Sequence, residues 1–322
     1  MIRSQLSKLL LIATVLVSPL QAATIESFYG EGSFQQKDLT VDGVNRSYYL
    51  YTPKGVEGPS KTLLVFHGGG GNANLSRLYG YESLADLYGF RIVYPQGINN
   101  MWNVGLKLPK MAPDLEKIDD LSYFDNMLED LNSKGLLNPD KVFATGNSMG
   151  GYMSFYLSCH RTDKLTAIAP VVASMLVEVA ESCQPSKPLP VLLTMGTEDK
   201  SVPFKGGELG GPQNKLLSYS ESLNFWAKAN GCNNSRAATL FDLDSNDGIQ
   251  TYATLWNECR NNVSVKGYQV DGMGHRLPGT KTPDNLQELL SVEIPADMDE
   301  VLGKQTFDYF GAAEIWYFFQ QY

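Results

Sequence analysis

Short apolar runs alternate along this chain with longer amphipathic ones, and that alternation limits the fold more than any other feature. Residues 63–66, 91–94, 141–145, 166–172 and 191–195 are too continuously apolar for strands with one wet face. They read as strands buried on both sides. Between them, residues 78–88, 121–133, 149–159 and 216–229 carry the spacing of amphipathic helices. Strands separated by helices give a parallel sheet with helices on both faces, an α/β fold with a mostly parallel central sheet. A hairpin is expected first, from 37–41 through an Asp42-Gly43 turn to 47–52. A late strand is expected at 263–270, and a closing helix at 307–320 with Trp316, Phe318 and Phe319 as its core stripe. The stretch 232–262 reads as an insertion carrying its own strand over 252–256.

With 322 residues and 43% hydrophobic content, the chain can bury a sizeable core. The formal net charge is −9 and no Lys/Arg cluster occurs, so neither nucleic acid nor an anionic lipid surface is an expected partner. The first residues are a separate object. Arg3 and Lys8 precede a short apolar run over 9–20, followed by Gln21-Ala22-Ala23, the pattern of a cleaved secretory signal peptide. The run is too short to span a bilayer, which takes about 20 residues. No Cys lies near the cleavage point, so no membrane anchor is expected. Residues 1–22 are therefore expected to be the leader, with Ala23 as the alternative cleavage residue, and 23–322 a single α/β domain of a secreted or periplasmic protein.

Export changes how Cys159, Cys183, Cys232 and Cys259 read. An even count in an exported chain argues for two disulfides. Of three connectivities, the neighbour pairing Cys159–Cys183 and Cys232–Cys259 closes the shorter loops. A zinc site is not expected, because no C-x-x-C spacing occurs and the chain has 3 His.

The sharpest chemical signal is Gly146-Asn147-Ser148-Met149-Gly150-Gly151, placed directly after a strand and before a helix. A serine on so tight a strand-to-helix turn needs small residues two before and two after it. The helix N-terminus then aims free N–H groups at an oxygen that becomes negative. A hydroxyl nucleophile needs a base, and the base needs an orienting carboxylate. His275 lies in a Gly-rich loop beyond the late strand. His160 closes the post-elbow helix, about 18 Å from its start, and reads as structural or exposed. Asp199 follows the strand at 191–195 and faces the sheet end that carries Ser148. Its other reading is a turn cap; Glu198 and Asp271 are the next candidates for the acid. The chain order Ser148, Asp199, His275 is that of the α/β-hydrolase triad.

His67-Gly68-Gly69-Gly70-Gly71 follows another strand. Its glycines let the backbone approach a ligand, and one N–H can join that of Met149 in holding an oxyanion. Gly69 is the chosen donor. A phosphate loop would need Gly-Lys-Ser/Thr, which is missing. His67 is expected to shape this loop at the substrate site rather than act as a base. Trp102 has two readings, an apolar wall for an acyl or aromatic group or plain packing. Asp119-Asp120 reads as a helix cap, and Trp226 as core.

These segments resemble the secreted polyhydroxybutyrate-depolymerase-like and feruloyl-esterase group of α/β-hydrolases (carbohydrate esterase family 1). The resemblance rests on residues 47–53, 67–71, 89–97, Trp102-Asn103, Asp119-Asp120, 141–151, 196–203, Phe225-Trp226 with 230–232, and Gly274-His275 with Pro278-Gly279. It implies Ser148 as nucleophile, Asp199 as acid and His275 as base. Met149 stands where the group usually has Asn, and Met195 where it often has His. The implied substrate is a carboxylic ester, first of the poly- or oligo-3-hydroxybutyrate type, with feruloyl or acetyl esters of plant polysaccharide as the alternative. Neither metal nor organic cofactor is implied. A peptidase with the same triad would usually add a propeller or lid domain. From a different class, the rival is an inactive binding protein on a hydrolase scaffold.

Overall fold

The computed structural model describes residues 29–108, 112–280 and 298–322. The expected leader at 1–22 lies outside these residues.

The chain opens with the expected hairpin, β1 (Ser33–Val41) and β2 (Val44–Thr52), paired antiparallel with Val41 opposite Val44. Asp42 and Gly43 both take positive φ, at 51° and 80°, which is the turn geometry that matches strand twist. The apolar runs then become β3 (Ser60–Phe66), β4 (Arg91–Pro95), β5 (Leu137–Asn147), β6 (Ala167–Val171) and β7 (Val191–Gly196). A two-residue ribbon, β8 (Gly207–Glu208) and β9 (Lys215–Leu216), stands apart. After it come β10 (Asn234–Thr239), β11 (Gln250–Asn257) and β12 (Val265–Asp271). Among the described residues the main sheet has 10 strands, in the order β1-β2-β4-β3-β5-β6-β7-β12-β11-β10. Neighbours from β4 to β12 are parallel, and the pairs outside them on either edge are antiparallel.

Alternation along the strands explains why the runs are apolar throughout. Leu64 and Phe66 of β3 point into one core, with Phe124, Met127, Tyr152, Met153, Leu223 and Trp226. These come from α3 (Asp120–Ser133), α4 (Met149–His160) and α6 (Tyr219–Asn230). Leu63 and Val65 point to the opposite core, with Tyr81, Leu84, Trp316, Phe318 and Phe319. Here the cover is α2 (Tyr81–Tyr88), preceded by a short α1 (Ala73–Ser76), and a closing helix, Gly311–Phe319. Trp316 stacks on Phe90 with ring centroids 3.5 Å apart. A strand wet on one side would show polar residues at alternate positions; these do not, because both sides are covered.

Several boundaries differ from the sequence reading. The helix expected from 78 begins at Tyr81, because Gly80 sits at φ 80° and ends a separate 3-10 turn. The helix expected from 216 begins at Tyr219. Ser218 and Glu221 form a reciprocal capping box there, and Leu216 belongs to β9. The stretch 232–262 is no separate insertion: it supplies two strands, β10 and β11, which extend the main sheet. The disulfides are Cys159–Cys183 and Cys232–Cys259, the neighbour pairing. Between α4 and α6, α5 (Val177–Ser182) leads into Cys183, and α7 (Met298–Leu302) precedes the closing helix, α8.

Candidate active site

The strand order carries the candidate residues to one edge of the sheet. Ser148 follows β5, Asp199 follows β7 and His275 follows β12, all at the carboxyl ends of parallel strands, the edge where open α/β sheets bind ligands. Ser148 has φ 55° and ψ −119°, a region that side-chain-bearing residues rarely occupy. The glycines of the motif have a steric explanation. A Cβ on Gly150 would lie 2.1 Å from the Phe66 carbonyl oxygen, and one on Gly146 would lie 2.6 Å from backbone atoms of Phe66 and Gly150. Only glycine lets β5, the turn and α4 press this closely against the end of β3.

Asp199 makes contacts on both sides of its carboxylate. Its Oδ1 accepts from the N–H groups of Ser201 and Val202, each at 2.8 Å, which caps the local turn. Its Oδ2 lies 2.7 Å from His275 Nδ1. The carboxylate side chain is fully buried and the imidazole is 13% exposed. The pair therefore fixes the ring and leaves Nε2 as the nitrogen available for proton transfer. Among the described residues no hydrogen bond joins Ser148 Oγ to the imidazole, and such contacts commonly tighten only with substrate in place. The histidine loop is clamped from a distant part of the chain. His275 N–H donates to Leu302 O at 2.6 Å, and Gly274 N–H to Lys304 O at 2.9 Å.

The glycine loop lies beside the elbow. A Cβ on Gly68 would be 3.7 Å from Ser148 Cβ, and one on Gly69 would be 3.4 Å from Met149 Sδ. Gly70 N–H is committed to Asn100 O and Gly71 N–H to Gly68 O. Gly69 has no such acceptor among the described residues. Met149 opens α4, and the first N–H groups of a helix have no intrahelical partner. Gly68 N–H likewise meets no acceptor among the described residues, so Gly69, expected as donor together with Met149, is one of two loop glycines with an uncommitted N–H beside the elbow.

His67 and Trp102 require a correction. Neither reaches a surface that substrate could touch: Trp102 is 0% and His67 1% exposed. Trp102 Nε1 donates to His67 O at 2.9 Å, and its ring meets Phe66 edge-on. His67 Nε2 accepts from Gly97 N–H at 3.0 Å while Nδ1 lies 2.8 Å from Gly68 O. That pattern needs the neutral ring with its proton on Nδ1. Burial pushes its pKa down to about 4, so His67 is a neutral pin between two loops. His160 is exposed at the end of α4, with Tyr156 against its ring.

Sequence reasoning missed what holds the Trp102 loop. Asp120, which was expected only as part of a cap, is buried and paired with Arg46 at 2.6 Å. Its other oxygen accepts Asn103 N–H at 2.7 Å, and Asn103 Nδ2 donates to Ile118 O. Asp119 is the N-cap, accepting from Ser122 N–H at 2.8 Å. The available signal was the joint appearance of Trp102-Asn103 and Asp119-Asp120 among the resembling segments. Met149 Sδ also accepts Trp102 N–H, at 3.3 Å.

Compared with models of known protein families, the chain matches none. It is 30% identical to feruloyl esterase B of Piromyces equi over 54% of its own length and 31% of that protein's. The chain thus spans about a third of that relative. A putative esterase, NocK, of Nocardia uniformis subsp. tsuyamanensis is 25% identical over 77% of this chain and 75% of its own. A probable feruloyl esterase C of Aspergillus terreus is 29% identical over 82% and 89%. Among solved structures, an acetyl xylan esterase from Aspergillus awamori superposes with a TM-score of 0.53 at 17% identity, covering 80% of this chain and 99% of the other. The chain has the α/β-hydrolase fold, and the proteins it matches in sequence and structure are carboxylic ester hydrolases.

Proposed function

We propose that the protein is an exported serine esterase that removes feruloyl or acetyl groups from plant polysaccharide. The observation that carries the reading is Ser148, held at φ 55° on the same sheet edge as the hydrogen-bonded Asp199–His275 pair. Ser148 Oγ attacks the ester carbonyl as His275 Nε2 takes its proton. The carbonyl oxygen, now negative, accepts from the N–H groups of Gly69 and Met149. Collapse breaks the ester C–O bond, and the leaving alcohol takes the proton from His275. Water then adds to the acyl-enzyme by the same base, releasing the acid and restoring Ser148. Asp199 keeps Nδ1 protonated and the ring in place, so Nε2 stays basic until it is used.

The relatives named above favour feruloyl and acetyl esters over the hydroxybutyrate-type esters that the sequence resemblance put first. Two disulfides fit an oxidising compartment. Among the described residues, no helix is long and apolar enough to cross a membrane. The test offers purified protein methyl ferulate, acetylated xylo-oligosaccharide and soluble 3-hydroxybutyrate oligomers, with Ser148→Ala as control. Release of ferulate or acetate that vanishes in Ser148→Ala is expected. Asp199→Asn should lower kcat by about 10³–10⁴, the scale seen when a triad histidine loses its orienting carboxylate. A Ser148→Ala protein with undiminished turnover would refute the assignment. A folded wild type that a fluorophosphonate probe leaves unlabelled would move the chain to the binding-protein class.

A further inference from the structure

A groove of about 480 Å³ opens between the β1–β2 hairpin and the loop after β4, lined by Asp38, Thr40, Asn45, Ser47, Gln96 and Ile98. Its place in the sheet relates it to the candidate site. β2 runs antiparallel to β4 with Tyr48 opposite Pro95, so the start of β2 and the end of β4 share one sheet edge. That is the edge at which β5 delivers Ser148. The sheet order there is β2-β4-β3-β5, and three strand spacings of about 4.8 Å put the groove roughly 14 Å from the elbow. The loop that floors it is the one whose Gly97 N–H is pinned to His67, the residue before the glycine loop.

The lining decides what kind of ligand fits. Thr40 and Ser47 offer hydroxyls, Asn45 an amide and Asp38 a carboxylate, while Leu39 and Ile98 add apolar patches. The Gln96 amide is spent on the loop itself, accepting Ala73 N–H and donating to Gly97 O and Asn100 Oδ1. Asp38, Thr40 and Asn45 are exposed. Arg46 is the one cation of the lining, and its guanidinium is taken by Asp120 at 2.6 Å and lies over the Tyr123 ring at 3.8 Å. A groove with no cation to spare and a carboxylate at its rim disfavours anionic ligands. Alternating hydroxyl donors and acceptors with small apolar faces match a neutral sugar chain instead.

We propose that this groove is a subsite for the unsubstituted backbone of the polysaccharide, binding neutral pentose units a few residues along from the esterified one. The proposal rests on the esterase reading above and adds the direction in which the chain lies: from Ser148 across the ends of β3 and β4 to the β1–β2 hairpin. Small esters would leave the groove empty, and oligosaccharide esters would fill it.

Two measurements test it. Nitrogen-labelled Ser148→Ala protein is titrated with unesterified xylo-oligosaccharide, followed by the amide signals. Saturable shifts confined to residues 38–47 and 96–98 are expected, and they should weaken in a Thr40→Ala/Asn45→Ala protein. In the active enzyme, the same double substitution should lower the ratio of kcat/KM for a feruloylated xylo-oligosaccharide to that for methyl ferulate. The expected drop is about fivefold, as for the loss of one or two neutral hydrogen bonds. Shifts that are absent or lie elsewhere, or an unaltered ratio, would overturn the subsite. A wild type that hydrolyses neither ester defeats the esterase reading by a separate route. The titration needs no turnover, so it decides the groove in either case.

Discussion

Replacing Ser148 with glycine should make the protein more stable than replacing it with alanine. At φ 55° and ψ −119°, the serine occupies backbone territory that costs a side-chain-bearing residue about 1–3 kcal/mol. Alanine keeps that cost, because its Cβ meets the same atoms. Glycine releases it and gives back about 0.5–1 kcal/mol through the greater freedom of the unfolded chain. The usual penalty for removing a capping hydroxyl does not arise, since Ser148 makes no side-chain cap hydrogen bond to α4. Its N–H still donates to Val171 O at 2.9 Å whatever the side chain. The glycine variant should therefore exceed the alanine variant by about 1–2 kcal/mol. At 2–4 °C per kcal/mol for a chain of about this size, that corresponds to roughly 2–8 °C in Tm. Thermal unfolding of both proteins in the same buffer, with disulfides oxidised, reads the difference. A glycine variant that melts at or below the alanine variant would refute the claim that strain is stored at the elbow.

Gly150→Ala should be among the most damaging single-methyl additions. Its Cβ would meet the backbone of Phe66 and His67, the nearest atom at 2.1 Å, and overpacking against backbone costs about 1–3 kcal/mol or more; chemical denaturation would show a lower midpoint. Stability should also fall as pH drops. The His67 pKa is pushed down to about 4 from an ordinary 6.5, so the unfolded chain takes up a proton between these values that the folded one refuses. The neutral ring's contribution is complete above about pH 6.5 and roughly 3 kcal/mol of it is lost by about pH 4, at 1.36 kcal/mol per pH unit. Unfolding of wild type and His67→Gln across that range checks it, and an equally steep loss in the variant would exclude His67 as the cause. The disulfides should contribute alike, since their cysteines are 24 and 27 residues apart. Loop-closure entropy assigns each about 3.5 kcal/mol, so Cys159→Ala/Cys183→Ala and Cys232→Ala/Cys259→Ala should shift the unfolding midpoint by similar amounts.

Much of this architecture could be read from the chain because local chemistry and global packing agree. Asp42-Gly43 specifies the hairpin turn, and doubly covered strands announce themselves as unbroken apolar runs. The Gly-x-Ser-x-Gly pattern marks a crossing too tight for side chains. β10 was invisible for the opposite reason. Asn234 to Thr239 sit on a sheet edge with five of the six residues exposed, so no hydrophobic period marks them as a strand. The burial of Trp102 and His67 also escaped the sequence reading. Their places after β3 and β4 put both at the sheet end that carries the elbow, but the Asn103–Asp120–Arg46 network and the His67–Gly97 hydrogen bond, which turn their two loops inward, join residues far apart in the chain. The Leu302 and Lys304 contacts to the histidine loop are long-range and backbone-mediated, and they leave no trace in side-chain identity.

The clamp on the histidine loop has a consequence for how the protein comes into being. Synthesis delivers Ser148 before the middle of the chain, Asp199 later, and His275 later still. The backbone that fixes His275 belongs to residues 302–304, and Trp316, which closes one core against Phe90, comes after them. A growing chain therefore carries Ser148 long before the backbone that holds His275 has been made. On the esterase reading proposed above, the serine and its base can work together only once residues 302–304 have been made and have closed on the histidine loop.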